Sequence, residues 1–432
     1  MLSQPVLRAR PERVSFGLVQ RYLHEPKHWR SVGLAFLTTV PGLAVRFGAI
    51  HLPIEVETLL YGAAVMGAAF LLSWAAEVAQ LDIAQTLAIA VLAIIAVLPE
   101  YAVDLFLAFR AGQGDVEKQS LAVANMTGAN RLLIGIGWAT VVLVAWWKSG
   151  RRDRQVTLKS VQRTDVGYLL IASLWAVFIP LRGEIGFIDL AVLGTLFVAY
   201  IIRAAREEVE EPDLIGAAAA IGSLSTVRRR TFTLTMFFFA AFAILAVAEH
   251  FADGLISIGE EFGISKFLLI QWVAPLASEA PEMIIAILFV LRMKARIGLG
   301  TLISSKVNQW TLLIGTLPLV FSLGAGHFAG LPLDLEQKEE VFLTAAQSLF
   351  AVAVIANLDI TIREALAMLV LFLGQFLIPI TAVRIGFAVG YIALFLALML
   401  KPEVRKGLWS AILHVFGRDP GQRERKRSRK VS

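Results

Sequence analysis

The stretch TLAIAVLAIIAVLPE, residues 86–100, decides the fold. It is an apolar run that ends in a carboxylate, within a segment long enough to cross the roughly 20-residue hydrocarbon core of a bilayer. An unpaired carboxylate there is costly, so Glu100 is expected to face a cavity or a partner and to mark an ion path. Pro99 removes a backbone donor beside it, and the carbonyl oxygens left free can join Glu100 as ligands of a hard cation.

The composition indicates a membrane protein. Of the 432 residues, 57% are hydrophobic and 17% charged, whereas soluble domains carry roughly 25% charged residues. The mean hydropathy is +0.71, and many apolar stretches approach the length of a membrane span. We therefore predict an all-α, polytopic membrane protein.

Several classes of function are excluded by what the sequence lacks. Without cysteine there is no disulfide, thiolate metal site or thiol nucleophile. Among the six histidines, His24 and His28 form the HExxH match HEPKH, but Pro26 lies between them in the polar N-terminal segment and disfavours the regular helix on which a zinc hydrolase carries this motif. The absence of a GxxxxGK(S/T) phosphate loop argues against an ATP-driven pump. We expect neither an enzyme nor an organic cofactor.

Twelve apolar segments are predicted to span the membrane in two halves, 31–202 and 231–400. They are 31–50, 57–79, 84–109, 120–147, 166–181, 186–202, 231–258, 265–291, 299–323, 341–356, 365–380 and 384–400. We interpret them as two inverted five-helix repeats with one extra helix at each end. The motifs described below lie in 84–147 and 265–323.

The charges of the loops give the orientation, because basic residues in short loops mark the cytoplasmic side. With twelve spans, all basic stretches fall on one side: 1–30, 148–163, 228–230, 292–296 and the tail 401–432. The acidic connections 51–57, 260–261 and 334–340 fall on the other side. Both termini are predicted to be cytoplasmic, with 203–230 as a cytoplasmic linker.

The net charge of +6 is concentrated at the ends and in these loops. It predicts contact of the basic tails with anionic lipid headgroups, not with nucleic acid. The N-terminal segment has no apolar h-region and is not expected to be a cleavable signal peptide, which suits a bacterial inner membrane. The sequence gives no prediction of the oligomeric state.

The two halves share a repeated pattern. AVLPEY at 96–101 is followed by VANMTGANRLLIGIG at 123–137, and ASEAPEM at 277–283 is followed by GTLISSKVNQWTLLIG at 300–315. Each pair has a Pro-Glu inside an apolar span, then an amide- or hydroxyl-rich stretch, then LLIG. The predicted topology orients the two Pro-Glu spans oppositely, and inverted repeats with broken helices are typical of secondary transporters.

Glu282, after Pro281, therefore repeats the arrangement of Glu100. Two carboxylates with freed carbonyls and hydroxyls form an oxygen-rich site suited to calcium. The alternative is that these acids only pair with the buried bases Arg131 and Lys306. Its weakness is that two acids, each after a proline, occupy equivalent places.

At these residues the sequence resembles the calcium/cation antiporter superfamily, represented by the membrane domain of sodium/calcium exchangers. That family carries G-T-S-x-P-E and then G-N-x-x-G-S-N in each repeat. The resemblance implies that Glu100 and Glu282 are the central calcium ligands. It also implies that Ser278 stands for a family Thr and Asn125 for an amide that lines the ion path.

Other positions depart from the family pattern. Ala96 and Val97 replace two hydroxyl residues, Glu279 adds an acid, and Lys306 and Arg131 introduce bases. Asp104 lies one helical turn after Glu100 and is a candidate counter-charge.

We hypothesise that Lys306 or Arg131 is a tethered cation that replaces one transported sodium, with Asp104 and Asn130 as further coupling candidates. The alternative is that these bases snorkel to the cytoplasmic rim.

The leading hypothesis is a secondary active antiporter that exchanges calcium for sodium or protons. The alternatives are a monovalent cation/proton antiporter on the same scaffold and a non-transporting membrane protein that kept the fold. In all three, the expected partners are inorganic cations and the lipid bilayer.

Overall fold

The computed structural model describes residues 26–48, 52–82, 98–206, 214–377 and 380–417. Within them the protein is a polytopic helical bundle, which confirms the predicted all-α membrane fold. Nine helical segments of the described residues are long and apolar enough to span a bilayer. They are Ile54–Ala79, Val116–Lys148, Ser160–Arg182, Phe187–Ala204, Thr226–Phe262, Lys266–Leu291, Ala295–Ala325, Leu335–Asn357 and Thr381–Met399.

The helices are numbered in chain order. They are α1 Pro26–Phe47, α2 Ile54–Ala79, α3 Leu98–Gly112, α4 Val116–Lys148, α5 Arg163–Ala176, α6 Ile179–Arg182, α7 Phe187–Ala204, α8 Gly216–Gly222, α9 Thr226–Phe262, α10 Lys266–Leu291, α11 Ala295–Ala325, α12 Leu335–Val354, α13 Ile362–Leu377, α14 Thr381–Met399 and α15 Pro402–Val415. A short 3₁₀ turn, Ser160–Gln162, precedes α5, and another, Ile355–Asn357, follows α12. Helices α1, α3 and α13 fall in the three remaining predicted spans, so the number twelve stays a prediction.

Two small sheets reveal the relation between the halves. Strand β1 (Gln155–Thr157) pairs antiparallel with β4 (Asp359–Thr361), and β2 (Glu184–Ile185) pairs antiparallel with β3 (Leu331–Pro332). Strands β1 and β2 flank α5 and α6, whereas β3 and β4 flank α12. Strand β1 corresponds to β3 and β2 corresponds to β4, so exchanging the two halves turns the β1–β4 sheet into the β2–β3 sheet. The candidate membrane span Ser160–Arg182 separates β1 of one sheet from β2 of the other. Inverted halves produce this arrangement.

Glycines let the halves pack closely. A Cβ on Gly112 of α3 would lie 2.1 Å from the Phe321 carbonyl oxygen of α11, and one on Gly324 of α11 would lie 2.1 Å from the Phe109 carbonyl oxygen of α3. A Cβ on Gly128 of α4 would lie 1.8 Å from the Gln271 carbonyl oxygen of α10. Small residues that let helix backbones approach are typical of membrane helix interfaces.

The helices of the repeated motif are not regular. Helix α4 contains a π-helical segment at Leu133–Trp138, and α11 contains one at Gln309–Leu313. The segment in α4 follows the polar stretch of the first repeat, and the segment in α11 overlaps the polar stretch of the second repeat. A third π-helical segment, Leu269–Val273, precedes Pro275 in α10. Such segments are frequent at functional sites, because they shift the side chains that follow them.

Several predicted boundaries are corrected. The predicted connection 334–340 is mostly helical, because α12 already begins at Leu335 and buries Glu340. The predicted linker 203–230 contains α8 and the first turn of α9. The predicted tail begins with α15, an amphipathic helix that buries Val404 and Leu408. Residues 84–97 and 418–432, which include predicted parts of a span and of the tail, lie outside the described residues.

Candidate cation site

The centre of the site is a pair of buried acids from opposite halves. Glu100 of α3 and Glu279 of α10 are 2% and 3% exposed, and their carboxyl groups lie close enough to interact with each other. No protein donor of the described residues bonds either oxygen of Glu100. Two carboxyl groups in this position can associate only by sharing a proton or a cation.

Two further acids surround this pair. Asp104 lies one turn along α3, fully buried, and accepts a 2.9 Å hydrogen bond from Nδ2 of Asn125. Glu282, one turn along α10, is partly buried and faces Ser305 of α11. Both lie near enough to Glu100 to repel it electrostatically. Glu100 and Glu282 thus come together as expected, but Glu279 is the acid directly beside Glu100.

Amide side chains complete the oxygen-rich surface. Gln309 donates a 2.6 Å hydrogen bond from Nε2 to Oε1 of Glu279. Its own carbonyl oxygen and the Oδ1 atoms of Asn125 and Asn308 are buried and have no hydrogen-bond partner among the described residues. Sequence reasoning missed Gln309 and Asn308, although both stand in the second repeat's polar stretch. Ser278, a predicted ligand, donates to backbone carbonyls of its own helix, and its role as a ligand stays a prediction.

These unsatisfied oxygens define what the site can bind. Buried polar atoms normally have a hydrogen-bond partner, yet several carboxyl and amide oxygens here have none within the described residues: both of Glu100, and one each of Asp104, Glu279, Glu282, Asn125, Asn308 and Gln309. Carboxylate and amide oxygens are the ligands of hard cations. Among the described residues, no three acidic or histidine side chains converge on one point, so a cation here would draw on amide oxygens as well.

Lys306 of α11 belongs to this cluster. It is fully buried and donates from Nζ to Oδ1 and to the backbone oxygen of Asn130, at 2.6 and 3.2 Å. Its ammonium lies 4.2 Å from the ring centroid of Trp310 and within electrostatic range of Glu100 and Glu279. The alternative in which Lys306 snorkels to the rim is therefore wrong.

Arg131 is buried but occupies a different cluster. Its guanidinium forms an ion pair with Oε2 of Glu340 and stacks over the Trp272 ring, 5.0 Å from the centroid. Arg384 donates to Oε1 of Glu340 at 3.0 Å, and Gln271 donates to Oε2 at 2.9 Å. Arg131 thus does not snorkel either, and its direct counter-charge is Glu340 rather than an acid of the central pair.

A cavity of about 170 Å³ adjoins this second cluster. It is lined by polar and charged side chains together with apolar ones; the polar and charged residues are Arg131, Ser265, Gln271, Glu336, Glu340, Gln375 and Arg384. Sequence reasoning does not find the cluster, because Glu340 and Arg384 are far apart in the chain and the stretch around Glu340 has the polar composition of a loop.

The inverted halves and the buried acids contributed by both repeats define the class of this protein: it is a polytopic member of the calcium/cation antiporter superfamily. The sodium/calcium exchanger protein family matches residues 58–205 and 232–381, which make up most of both halves. The chain belongs to that family.

Solved structures agree with this assignment. A structure described as the H⁺/Ca²⁺ exchanger CAX is 42% identical, with a TM-score of 0.86, and the match covers 90% of this chain and 98% of that chain. The structure of native YfkE is 17% identical with a TM-score of 0.57, over 83% of this chain and 99% of that chain, and shows the fold alone. A search of curated protein sequences gives no match.

Proposed function

We propose that this protein is a secondary active antiporter that exchanges Ca²⁺ for protons at the Glu100–Glu279 site. The observation that carries the proposal is the Glu100 carboxyl group, which is buried beside a second acid and receives a hydrogen bond on neither oxygen from the part of the chain that the structure describes. A group in that position needs a proton or a metal cation, and an exchanger needs a site that takes one or the other. The 42% identical structure described as an H⁺/Ca²⁺ exchanger supports this choice of ions.

The charge of the site explains why exchange would be obligatory. Bare carboxylates are costly inside the membrane, and one Ca²⁺ or two protons would each add two positive charges at Glu100 and Glu279. With either load bound, the site could switch its access from one side of the membrane to the other, whereas the empty site would be held back from switching. The inverted halves then supply the two access states, by rocking around the shared site.

Protons are favoured over sodium by the ligands that are available. Sodium sites are built from oxygens, and Ala96 and Val97 replace two hydroxyl residues of the family pattern. Calcium takes 6–8 oxygens, which Glu100, Glu279, Gln309 and Asn125 could provide in part, with water completing the shell. Carboxyl groups that lack a protein donor are suited to carry protons instead.

Calcium uptake into proteoliposomes tests the coupling ion. We expect uptake when the lumen is more acidic than the bath, its abolition when nigericin with potassium collapses the pH gradient, and no stimulation by an outward sodium gradient. Uptake driven by sodium and indifferent to pH would contradict proton coupling. Failure of the wild type to move Ca²⁺ under either gradient would contradict the function as a whole.

We further propose that the β1–β4 end and both termini face the cytoplasm of a bacterial inner membrane, since the basic loops gather there. The sequence has no cysteine, so single introduced cysteines report sidedness directly. In right-side-out vesicles, an impermeant maleimide should label Phe328→Cys, next to β3, and spare Arg152→Cys, next to β1. Labelling of Arg152→Cys alone would contradict the orientation.

A further inference from the structure

Lys306 is the basic group of the central site. Its hydrogen-bond acceptors are two oxygens of Asn130, and its ammonium faces the Trp310 ring. Glu100 and Glu279, the acids that form the proposed exchange site, lie within electrostatic range of the Lys306 side chain. The side chain is fully buried.

The position of Lys306 in the repeats is informative. Lys306 stands in the polar stretch of the second repeat, and Asn130 stands in the polar stretch of the first. The bond between them therefore joins the two inverted motifs directly. A buried ammonium is costly unless it is paired and hydrogen-bonded. Here the hydrogen bonds come from Asn130, and the nearby acids Glu100 and Glu279 also belong to the repeats.

The surroundings of the ammonium are those of a bound monovalent cation: amide and backbone oxygens at 2.6 and 3.2 Å, an aromatic face and two nearby acids. A transported ion in this place would leave at the end of each cycle. The ammonium cannot leave, because it is tethered to α11.

We infer that Lys306 is a resident cation, which fills a second cation position beside the transported ion and so restricts each cycle to the ions held at Glu100 and Glu279. This inference rests on the proposed function, since it assigns the ion stoichiometry of that same site. It also gives a physical reason why sodium is excluded from the exchange: the place where a monovalent ion would join the exchange is already occupied.

A purely structural lysine would behave differently. Lys118 of α4 provides the comparison, because it is also buried and forms an ion pair with Asp253 outside the central site. Neutralising either lysine removes a buried charge and lowers stability. Only neutralising Lys306 vacates a cation position beside Glu100, so only that change is expected to alter the charge moved per Ca²⁺.

The experiment measures how the membrane potential changes the direction and extent of Ca²⁺ flux in proteoliposomes at fixed Ca²⁺ and pH gradients, which gives the net charge moved per Ca²⁺; exchange of one Ca²⁺ for two protons moves no net charge in the wild type. For Lys306→Met we expect that charge to differ from the wild-type value by one elementary charge, because one more monovalent ion enters the cycle. For Lys306→Arg and Lys118→Met we expect the wild-type value. An unchanged charge per Ca²⁺ in Lys306→Met would overturn the inference.

A binding measurement keeps the inference testable if Lys306→Met does not fold or the wild type does not transport Ca²⁺. Lys306→Gln retains a donor for Asn130 while removing the charge. We expect sodium to raise the melting temperature of Lys306→Gln in detergent and to leave wild type and Lys118→Met unchanged, with choline as the ionic-strength control. No sodium effect specific to Lys306→Gln would overturn the inference. Absence of wild-type Ca²⁺ flux bears on the proposed function alone.

Discussion

Lys306 donates a 2.6 Å hydrogen bond to Oδ1 of Asn130 across the interface between the two inverted halves. The two residues come from the polar stretches of different repeats, 176 positions apart in the chain. Asn130 is fixed in turn by its own Nδ2, which donates to the Met126 carbonyl oxygen at 2.8 Å. The ammonium is thus positioned by backbone-anchored groups beside the acids Glu100 and Glu279.

The close approach of α3 and α11 makes Gly324 a sensitive position. In Gly324→Ala the new methyl group would meet the Phe109 carbonyl oxygen at 2.1 Å, so the helices must separate. We expect a loss of about 1–3 kcal/mol in the free energy of unfolding, as for overpacked cores. Thermal unfolding in detergent measures it.

Gly386→Ala in α14 is the matched control, because a Cβ added at Gly386 would have no heavy atom within 4 Å. An alanine inside a helix is favoured over glycine by about 0.5–1 kcal/mol, so this variant should be slightly more stable than the wild type. Equal destabilisation by both changes would contradict the close helix contact.

Glu340 is expected to be the most important residue for the stability of the second cluster. Glu340→Gln removes the charge that Arg131 and Arg384 share. Breaking a buried ion pair at one partner costs about 3–5 kcal/mol, and a loss of this size should appear in detergent unfolding. Glu336→Gln is the control: Glu336 also accepts from Arg384, but its side chain is 49% exposed, and exposed pairs contribute about 0–1 kcal/mol. Similar losses in the two variants would contradict this account.

Asp82 predicts an acid-dependent contribution to stability. Arg229 donates to both of its carboxyl oxygens at 2.8 Å, and Arg230 donates at 3.0 Å. The hydrogen bond from Arg229 lowers the pKa of Asp82 below its ordinary value of 3.8, against the opposing effect of burial. A lowered folded-state pKa means that the stabilisation is complete above pH 3.8 and is lost as the pH falls through the folded value.

The measurement is the melting temperature between pH 6 and pH 3. Asp82→Asn should lower stability by about 1 kcal/mol at pH 6, and its difference from the wild type should shrink as the pH falls below 3.8. Asp153→Asn, at an exposed side chain, should track the wild type throughout. A gap between Asp82→Asn and the wild type that persists unchanged at pH 3 would contradict the ion-pair explanation.

Much of the fold was predictable because membrane spans carry their signal locally, as runs of apolar residues bounded by charge. The inverted halves were also predictable, because Pro99–Glu100 and Pro281–Glu282 repeat a recognisable pattern. The pairing of β1 with β4 was not, since it depends on residues about 200 positions apart and on strands of three residues.

The acids and the lysine of the site were predictable, but the amides Gln309 and Asn308 were missed, and the pairing of the acids was not predictable. Glu279 and Glu282 lie nearly one helical turn apart on α10, and which of them meets Glu100 depends on how α10 is rotated beyond its π-helical segment. Likewise, sequence reasoning could not separate Lys306 from Arg131. Arg131 is drawn to Glu340, and nothing in the local sequence indicates that Glu340 points inward.

The most direct test of the central claim is proton-driven Ca²⁺ uptake by proteoliposomes that contain wild type, Glu100→Gln, Glu279→Gln or the exposed control Glu117→Gln. Glutamine keeps the shape of the side chain and removes the charge. We expect uptake at the wild-type rate in Glu117→Gln. In the other two variants we expect uptake to fall by ~10–100-fold or more, because changes at residues that only support metal ligands already cause losses of ~10–100-fold. Wild-type uptake by folded Glu100→Gln and Glu279→Gln would contradict the account.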